Sequence, residues 1–344
     1  MNDNVLMQIA IDEAGKGEAD LTYENPRVGA VIVKDGKVLG RGYHHRFGGH
    51  HAEIEAYQSL AKPSDIQGAC IYVTLEPCAS RGKVSSCAET MLTWGLKRVV
   101  IGSLDPNPST NGKGLKLLRE HGIEVIVLND GASRQLNPAF HYFFEKNLPY
   151  VRLKVATSAN RKVNAGSGQQ TKITDSIADQ DVHRLRAASS AILVGSETFL
   201  IDQPNLTVRK IALQHEQPLR IVLDRSGRFK DLPIQWRDNY LIFTSDEGFA
   251  ETSPRVKLYD GSIADLLAIL AELGIQSLLV EGGPIVHAAF LQESAWQEFW
   301  HYQSDSDFPD EGLSAVLPAS EPALLRQQVP VGNTIRYIYR NEVL

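Results

Sequence analysis

The stretch His51-Ala52-Glu53, followed by Glu76-Pro77-Cys78 and then Cys87, decides how this chain can be interpreted. One imidazole and two cysteine sulfurs can bind a zinc ion as three protein ligands, which leaves a fourth position for water. Four protein ligands would instead indicate a structural zinc site. The pattern therefore predicts a catalytic zinc site, with His51, Cys78 and Cys87 as its ligands.

The residue types around these ligands fit the hydrolytic removal of an amine from a ring. His-x-Glu, followed by Pro-Cys and a second cysteine, is the signature of zinc-dependent nucleobase deaminases. Zinc lowers the pKa of bound water to about 7, and we expect Glu53 to carry the proton to the departing amine. Cys87 begins a helix-like run, and a helix N-terminus favours a thiolate. Cys70 lies in an apolar strand-like stretch and is interpreted as a packing residue.

Length and composition limit the class of protein. A chain of 344 residues is expected to form two domains. The net charge of −6 and the lack of a long basic run argue against nucleic-acid binding. Three cysteines, two of them assigned to zinc, predict a reducing compartment without a disulfide framework. The sequence shows no signal-peptide pattern and no apolar run of about 18 residues. We therefore expect a cytoplasmic protein that does not span a membrane.

Strand-like and helix-like segments alternate through both halves, which predicts two α/β domains. In the first half, Lys34-Asp35-Gly36-Lys37 is a hairpin turn signal between two apolar segments. The break at Asn147-Leu148-Pro149 marks the domain boundary. In the second half, a strand-like segment ends in Glu281-Gly282-Gly283, which is consistent with a backbone that approaches a phosphate at a helix start. Residues 301–312 are interpreted as a loop.

Motifs in both halves are shared with one enzyme family. Those of the first half, besides the zinc motif, are Asn25-Pro26-Arg27-Val28-Gly29, Gly42-Tyr43-His44, Tyr72-Val73-Thr74-Leu75-Glu76-Pro77-Cys78, Asp105-Pro106-Asn107-Pro108 and Gly112-Lys113-Gly114. Those of the second half are residues 149–156, Ile192-Leu193-Val194-Gly195, residues 202–209, residues 218–224 and Val280-Glu281-Gly282-Gly283. Together, these motifs and the wide gap between the two zinc-site cysteines resemble the bifunctional riboflavin-biosynthesis deaminase/reductase family.

The resemblance implies a fold and two consecutive reactions. It implies an α/β chain: a cytidine-deaminase-like α/β/α layered domain over residues 1–147 and a dihydrofolate-reductase-like α/β domain over residues 148–344. The first domain would use zinc to deaminate 2,5-diamino-6-ribosylamino-4(3H)-pyrimidinone 5′-phosphate. The second would use NADPH to reduce the ribosyl chain of the product to ribityl. The expected partner is therefore a small phosphorylated pyrimidine, and we also expect a homo-oligomer.

The resemblance also assigns roles to individual residues. In the first domain, the family's metal ligands fall on His51, Cys78 and Cys87, and its proton carrier falls on Glu53. The positions that would line the pyrimidine and phosphate pocket are Asn25, His44, Lys83, Asp105 and Asn107. The positions where the family places substrate and cofactor contacts in the second domain are Lys154, Thr174, Arg186, Asp202, Arg209 and Glu281.

Departures from the family pattern leave two alternatives open. The loop between the zinc-site cysteines has Ser80 where the family has a histidine and lacks the family's Thr-Pro-Pro, so the substrate could be another pyrimidine or a tRNA base. In the second half, Glu197 replaces the second glycine of Gly-x-Gly-Thr, where a carboxylate would repel a pyrophosphate, and Lys172 replaces a tryptophan. Together with Arg161, which also breaks the pattern, these changes leave open a degenerate, non-catalytic reductase domain.

Overall fold

The computed structural model describes residues 2–79, 86–166, 171–233, 237–319 and 324–341. The chain divides into two compact units, Met1–Lys146 and Asn147–Leu344. Each unit has its own sheet and its own apolar core. Among the described residues, no helix combines the length and the apolar character that crossing a bilayer would require.

The first unit is an α/β domain built on a five-stranded sheet. Its strands are β1 (Gly29–Lys34), β2 (Lys37–Tyr43), β3 (Cys70–Leu75), β4 (Arg98–Ser103) and β5 (Glu124–Val127). Its α-helices are α1 (Asp3–Ala14), α2 (Ala19–Thr22), α3 (Ala52–Gln58), α4 (Cys87–Leu92), α5 (Lys113–Glu120), α6 (Gly131–Gln135) and α7 (Pro138–Lys146). The strand order is β2-β1-β3-β4-β5; β1 pairs antiparallel with β2 and β3, and β3, β4 and β5 run parallel.

Strand β1 shows why helices cover both faces of this sheet. Its side chains alternate in direction, as in any strand, and both sets are buried. Ala30 and Ile32 pack in the cluster that includes α3, α4 and α5, whereas Val31 and Val33 pack against α1. The hairpin predicted at its end is present, because Asp35 and Gly36 adopt the positive φ values of 50° and 73° that a tight primed turn needs.

Helix α3 rests directly on the backbone of β2. A Cβ atom on Gly42 would lie 2.2 Å from the backbone nitrogen of Ala56, and one on Gly40 would lie 2.5 Å from its carbonyl oxygen. No side chain larger than hydrogen fits at such distances, so the two glycines set the position of the helix. This position matters because α3 begins immediately after His51 and contains Glu53.

The second unit is an α/β domain on a nine-stranded mixed sheet. Its strands are β6 (Tyr150–Thr157), β7 (Ala191–Gly195), β8 (Leu219–Leu223), β9 (Leu241–Thr244), β10 (Val256–Leu258), β11 (Ser277–Val280), β12 (Glu298–Ser304), β13 (Leu325–Val331) and β14 (Thr334–Arg340). Its α-helices are α8 (Ser176–Ala187), α9 (Ser196–Asp202), α10 (Glu247–Ala250), α11 (Ile263–Glu272) and α12 (Pro284–Gln292). The strand order is β10-β9-β8-β7-β11-β6-β12-β14-β13, and only the β12-β14-β13 pairs are antiparallel.

The interpretation of residues 301–312 as a loop is wrong at its start. Strand β12 continues through Ser304, because His301 pairs with Val155 of β6 on one side and with Tyr337 of β14 on the other. His301 and Tyr302 are buried as a result. The polar sequence hides this strand, whose two neighbours are distant in the chain. Strands β13 and β14, which extend the sheet beyond it, were not predicted either.

Candidate active sites

The side chains of His51, Cys78 and Cys87 converge in the first unit. Their ligand atoms all lie within 4.8 Å of one another. The Nδ1 atom of His51 is 3.2 Å from Sγ of Cys87 and 3.6 Å from Sγ of Cys78. One nitrogen and two sulfurs around a common centre suit zinc, which binds imidazole and thiolate in a tetrahedral arrangement. The donor set present in the structure therefore fits the metal that the sequence implies.

Three local structures bring these donors together. His51 is the N-cap residue of α3, and Cys78 follows the end of β3. Cys87 is the first residue of α4, where Ser86 and Glu89 form a reciprocal capping box. The backbone N–H of Cys87 donates a hydrogen bond to Sγ of Cys78 at 3.3 Å. The amino end of α4 therefore stabilises negative charge on the sulfur of Cys78.

The protonation of the three donors is strongly perturbed. Hydrogen bonding with Cys78 raises the pKa of His51 to about 9, although burial opposes the change. A hydrogen bond from Cys87 lowers the pKa of Cys78 to about 4. Hydrogen bonding with Cys78, together with burial, raises the pKa of Cys87, which favours its protonated form. A divalent cation that displaced these protons would meet the deprotonated ligands that metal binding requires.

Glu53 lies next to the three donors but is not one of them. Its side chain is buried, and burial raises the pKa of the carboxyl group, while the nearby His51 opposes that rise. A buried carboxyl group whose pKa is raised toward neutrality is suited to accept and release a proton. Its position on α3, two residues after His51, places it in the wall of the cavity that His51 and Cys78 also line.

A cavity of about 170 Å³ opens beside the donor set. Four of the five residues predicted to line a substrate pocket line this cavity: Asn25, His44, Asp105 and Asn107. Lys83, the fifth, lies outside the described residues, as does Ser80. The wall includes further residues to which the sequence analysis gave no role: Pro26, Val28, Leu75, Glu76 and Phe140. Phe140 belongs to α7, near the end of the unit, where only the three-dimensional structure reveals its proximity to the site.

His44 presents an imidazole nitrogen without a partner. Its Nδ1 is 2.9 Å from the carbonyl oxygen of His50, which fixes the ring and makes Nδ1 the donor. Its Nε2 is buried and has no hydrogen-bond partner in the structure. Burial lowers the pKa of His44, so the ring is neutral at physiological pH and Nε2 is an acceptor. A bound molecule with an N–H or O–H donor could satisfy it.

The loop that follows β4 supplies Asp105 and Asn107. Burial raises the pKa of Asp105 to about 6, partly offset by a hydrogen bond from the backbone N–H of Asn107 at 2.8 Å. The side chain of Asn111 donates to the carbonyl oxygen of Asp105 at 2.7 Å. The loop is therefore held in one conformation before any ligand arrives, which lowers the entropy lost on binding.

The second unit has two cavities at one edge of its sheet, of about 270 Å³ and 380 Å³. They share wall residues, among them Thr198, Asp202 and Gly283, and so form one cleft. Parallel strands β7 and β11 end at this edge, where α/β sheets commonly bind ligands. A Cβ atom on Gly283 would lie 2.7 Å from Oγ1 of Thr198, so this glycine keeps room between the two chain segments.

Four of the six residues predicted for the second site line this cleft: Lys154, Thr174, Asp202 and Glu281. Arg186 does not line it but forms a buried bidentate ion pair with Glu281, at 2.5 and 2.8 Å. The ion pair with Arg186 lowers the pKa of Glu281 to about 2, against the effect of its burial. Burial lowers the pKa of Lys154. Arg209 is exposed and lines neither cavity.

Residues that depart from the family pattern also lie at this cleft. Lys172 lines the smaller cavity and Glu197 lines the larger one. Glu197 forms an ion pair with Arg228, so part of its charge is compensated within the chain. His287, which the sequence analysis missed, lies in the wall beside Lys154, and burial lowers its pKa to about 4. His287 lies in the helix that directly follows Glu281-Gly282-Gly283, and this position could have marked it as a residue of the cleft.

Comparison with known proteins accounts for both units. Residues 1–103 match the family model described as the cytidine and deoxycytidylate deaminase zinc-binding region. Residues 149–304 match the model described as the RibD C-terminal domain. The riboflavin biosynthesis protein RibD of Aquifex aeolicus is 36% identical over 301 residues, which cover 85% of this chain and 83% of that protein. RibD of Escherichia coli K12 is 35% identical and covers 88% and 87% of the two chains.

The chain belongs to the RibD family. Solved structures agree over the whole length: RibD of Acinetobacter baumannii superimposes with a TM-score of 0.78, at 33% identity and 98% coverage of both chains. A Thermotoga maritima diaminohydroxyphosphoribosylaminopyrimidine deaminase/5-amino-6-(5-phosphoribosylamino)uracil reductase gives a TM-score of 0.77 at 35% identity, also with 98% coverage of both chains. The predicted order of a deaminase domain followed by a reductase domain is therefore confirmed.

Family membership establishes the general activity. The chain is a deaminase and reductase of riboflavin biosynthesis, with zinc as the cofactor of the first reaction and NADPH as that of the second. Because residues 149–304 match the RibD C-terminal domain, the comparison does not favour a second unit that has lost its catalytic role. A phosphorylated pyrimidine is consistent with this family as the substrate.

Proposed function

We propose that the first unit deaminates 2,5-diamino-6-ribosylamino-4(3H)-pyrimidinone 5′-phosphate with His51, Cys78 and Cys87 as zinc ligands. One observation carries this assignment: the three donors lie within 4.8 Å of one another, and two of them, His51 and Cys78, line one cavity with the buried Glu53. Asn25, His44, Asp105 and Asn107 line the same cavity. A zinc ion bound there would supply Lewis-acid activation of water. The surrounding side chains would bind the substrate and transfer the proton.

Within this site, Glu53 is the proton carrier. Its burial favours the protonated form after it has taken a proton, and the proton then passes to the departing amine. His44 accepts a hydrogen bond at Nε2 from the pyrimidine, because that atom is buried without a partner. Asn25, Asp105 and Asn107 hold polar groups of the ring and ribose. Lys83 remains our candidate for the phosphate, since a lysine suits an anion.

The second unit is proposed to reduce the ribosyl chain in the cleft at the ends of β7 and β11. NADPH, when bound there, would supply the hydride. Lys154 and Glu281 hold the sugar chain, and the buried Arg186 keeps Glu281 in place through both of its oxygens. Thr174 and Asp202 line the same cleft, whereas Arg209 has to reach it from an exposed position. The deaminase and reductase domains are proposed to span residues 1–147 and 148–344, and the protein is proposed to be cytoplasmic. The expected homo-oligomer stays a prediction.

A coupled assay tests both assignments on one preparation. Purified protein with its zinc content measured should release ammonia from the phosphorylated diaminopyrimidine and then oxidise NADPH in proportion. A zinc chelator should stop ammonia release, whereas NADPH oxidation with supplied deaminated substrate should continue. No ammonia from this substrate by zinc-loaded protein would refute the first assignment, and a panel of other pyrimidines and a tRNA would then identify the base. No NADPH oxidation by folded protein would refute the second.

A further inference from the structure

Glu76 is a buried carboxylate of the deaminase unit that none of the roles above uses. Its exposure is 4%, and it precedes Pro77 and the ligand Cys78. A carboxylate buried to this extent is costly unless several donors satisfy it. The donors that satisfy Glu76 are all backbone N–H groups, and they come from a single stretch of chain about 30 to 40 residues away.

Three hydrogen bonds connect Glu76 to that stretch. Oε2 accepts from the backbone N–H groups of Asp105 at 3.3 Å and Gly112 at 3.0 Å, and Oε1 accepts from that of Leu115 at 3.2 Å. The bonds therefore reach both ends of the segment 105–115. One end is the loop that carries Asp105 and Asn107, and the other is the first turn of α5.

Helix α5 depends on this carboxylate because its own cap residue has no side chain. The N-cap is Gly112, which adopts φ +72° and makes no side-chain capping bond. Glu76 accepts from the N–H of Leu115, the third residue of the helix, which an N-cap serine or aspartate would otherwise satisfy. It also accepts from the N–H of the cap residue Gly112 itself. The helix also packs tightly on the segment Glu76-Pro77-Cys78, which carries the metal ligand Cys78, because a Cβ atom on Gly114 would lie 2.0 Å from the carbonyl oxygen of Pro77.

We propose that Glu76 is a positioning residue that fixes the Asp105–Asn107 loop at a set distance from the metal donors. This proposal rests on the proposed function of the cavity. The carboxylate and Cys78 belong to one short loop, so the bonds of Glu76 place the ring-binding groups relative to the ion. Glu76 itself need not touch the substrate. A displaced loop would bind the ring poorly even when every zinc ligand is present.

The test compares Glu76→Ala, Glu76→Gln and Glu120→Gln, in which the control changes an exposed glutamate at the far end of α5. Steady-state deamination, zinc per chain and amide hydrogen exchange over residues 105–115 are measured in full-length protein. We expect Glu76→Ala to keep its zinc but to raise KM about 10- to 100-fold, the loss typical of outer contacts at a metal site. Glu76→Gln keeps one acceptor oxygen and should lie between it and the wild type.

The outcomes separate this proposal from the proposed function. Faster exchange of residues 105–115 together with a raised KM in zinc-loaded variants supports the positioning role. Unchanged KM, or a loss of activity that zinc replacement restores fully, overturns it. If Glu76→Ala does not fold, Glu76→Gln still decides, since it is nearly the same shape. An inactive wild-type protein would refute the proposed function, and exchange in the variants would then still report whether Glu76 holds the loop.

Discussion

Two glutamates of helix α3 show how position decides the use of a carboxylate. Glu53 is buried in the wall of the deaminase cavity, whereas Glu55, two residues later, is partly exposed and faces His45 and His50. The sequence distinguishes them only through the His-x-Glu spacing. That spacing predicts the role of Glu53, because it places the glutamate in the first turn of a helix that begins directly after the metal ligand His51.

Replacing Glu53 by glutamine should stop deamination without releasing the metal. The amide cannot carry a proton, so kcat should fall by about 100-fold or more, as for other lost acid–base groups. The measurement is ammonia release together with zinc per chain. Glu55→Gln is the matched control and should remain active. A Glu53→Gln protein with wild-type turnover would contradict the mechanism, whereas one that lost its zinc would show that Glu53 helps to hold the ion.

Glu197 should weaken dinucleotide binding in the second unit. Its carboxylate lines the larger cavity, and its ion pair with Arg228 compensates only part of the charge because both side chains are exposed. Glu197→Gln should therefore tighten NADPH binding roughly fivefold, since an exposed charge contributes at most about 1 kcal/mol. Fluorescence titration with NADPH measures this, and Glu272→Gln on α11 is the control. Weaker binding would mean that Glu197 is itself a ligand.

Individual contacts were predictable from the sequence only where a local motif carries them. The zinc donors follow a short spacing pattern, and the structure brings all three together. The Arg186–Glu281 ion pair joins residues 95 positions apart, and no pattern marks it. Glu76 was quoted as part of a motif, but its partners are backbone groups, which every residue has. Sequence alone could not identify such partners, since only the fold selects them.

At the scale of secondary structure, the packing of α3 on β2 sets the position of His51 and Glu53 in the deaminase site. Gly40 and Gly42 allow backbone contact between the strand and the helix, so His51 and Glu53 reach the cavity from a fixed platform. The strand–helix alternation was readable because buried parallel strands are short apolar runs. Strands β12 to β14 could not be predicted in this way, because β12 is mostly polar from His301 onward and β13 is largely exposed at the sheet edge.

Gly42→Ala should therefore disturb the metal site from a distance. The added methyl group would lie 2.2 Å from the backbone of Ala56 and would push α3 away from the sheet. We expect a loss of about 1–3 kcal/mol in unfolding free energy, as for other overpacked cores, together with reduced zinc content. Urea unfolding and metal analysis check this. Gly131→Ala is the control, because no atom lies within 4 Å of its Cβ position. Equal zinc per chain in the two variants would contradict a role for the packing of α3 on β2 in positioning the metal ligands.

On the scale of the whole molecule, buried histidines make the stability of the second unit depend on pH. The second unit buries His287 and His301, and burial lowers the pKa of each to about 4. In the unfolded chain these groups titrate near 6.5, so the unfolded state binds more protons between pH 6.5 and 4. Their contribution to stability is complete above that range and is lost as the pH falls through it.

Moderate acid should therefore destabilise the second unit. By pH 5, each buried histidine should reduce the free energy of unfolding by about 2 kcal/mol relative to neutral pH. His301→Asn should flatten this dependence, although it will also lower stability at neutral pH because the hydrogen bond with Thr157 is altered. Chemical unfolding of the wild type and of the variant between pH 7.5 and 5 measures how steeply the free energy of unfolding changes with pH. An identical slope in the variant would show that His301 does not titrate as its burial requires.

The position of the zinc donors along the chain has a consequence for biosynthesis. His51, Cys78 and Cys87 all precede residue 88, and the strands that support them, β1 to β4, end at Ser103. A nascent chain emerges from the ribosome with its N-terminal part first. The complete ligand set is therefore outside the ribosome before any of the second unit has been translated. Metal capture by the growing polypeptide would then stabilise its first domain while the reductase half is still being made.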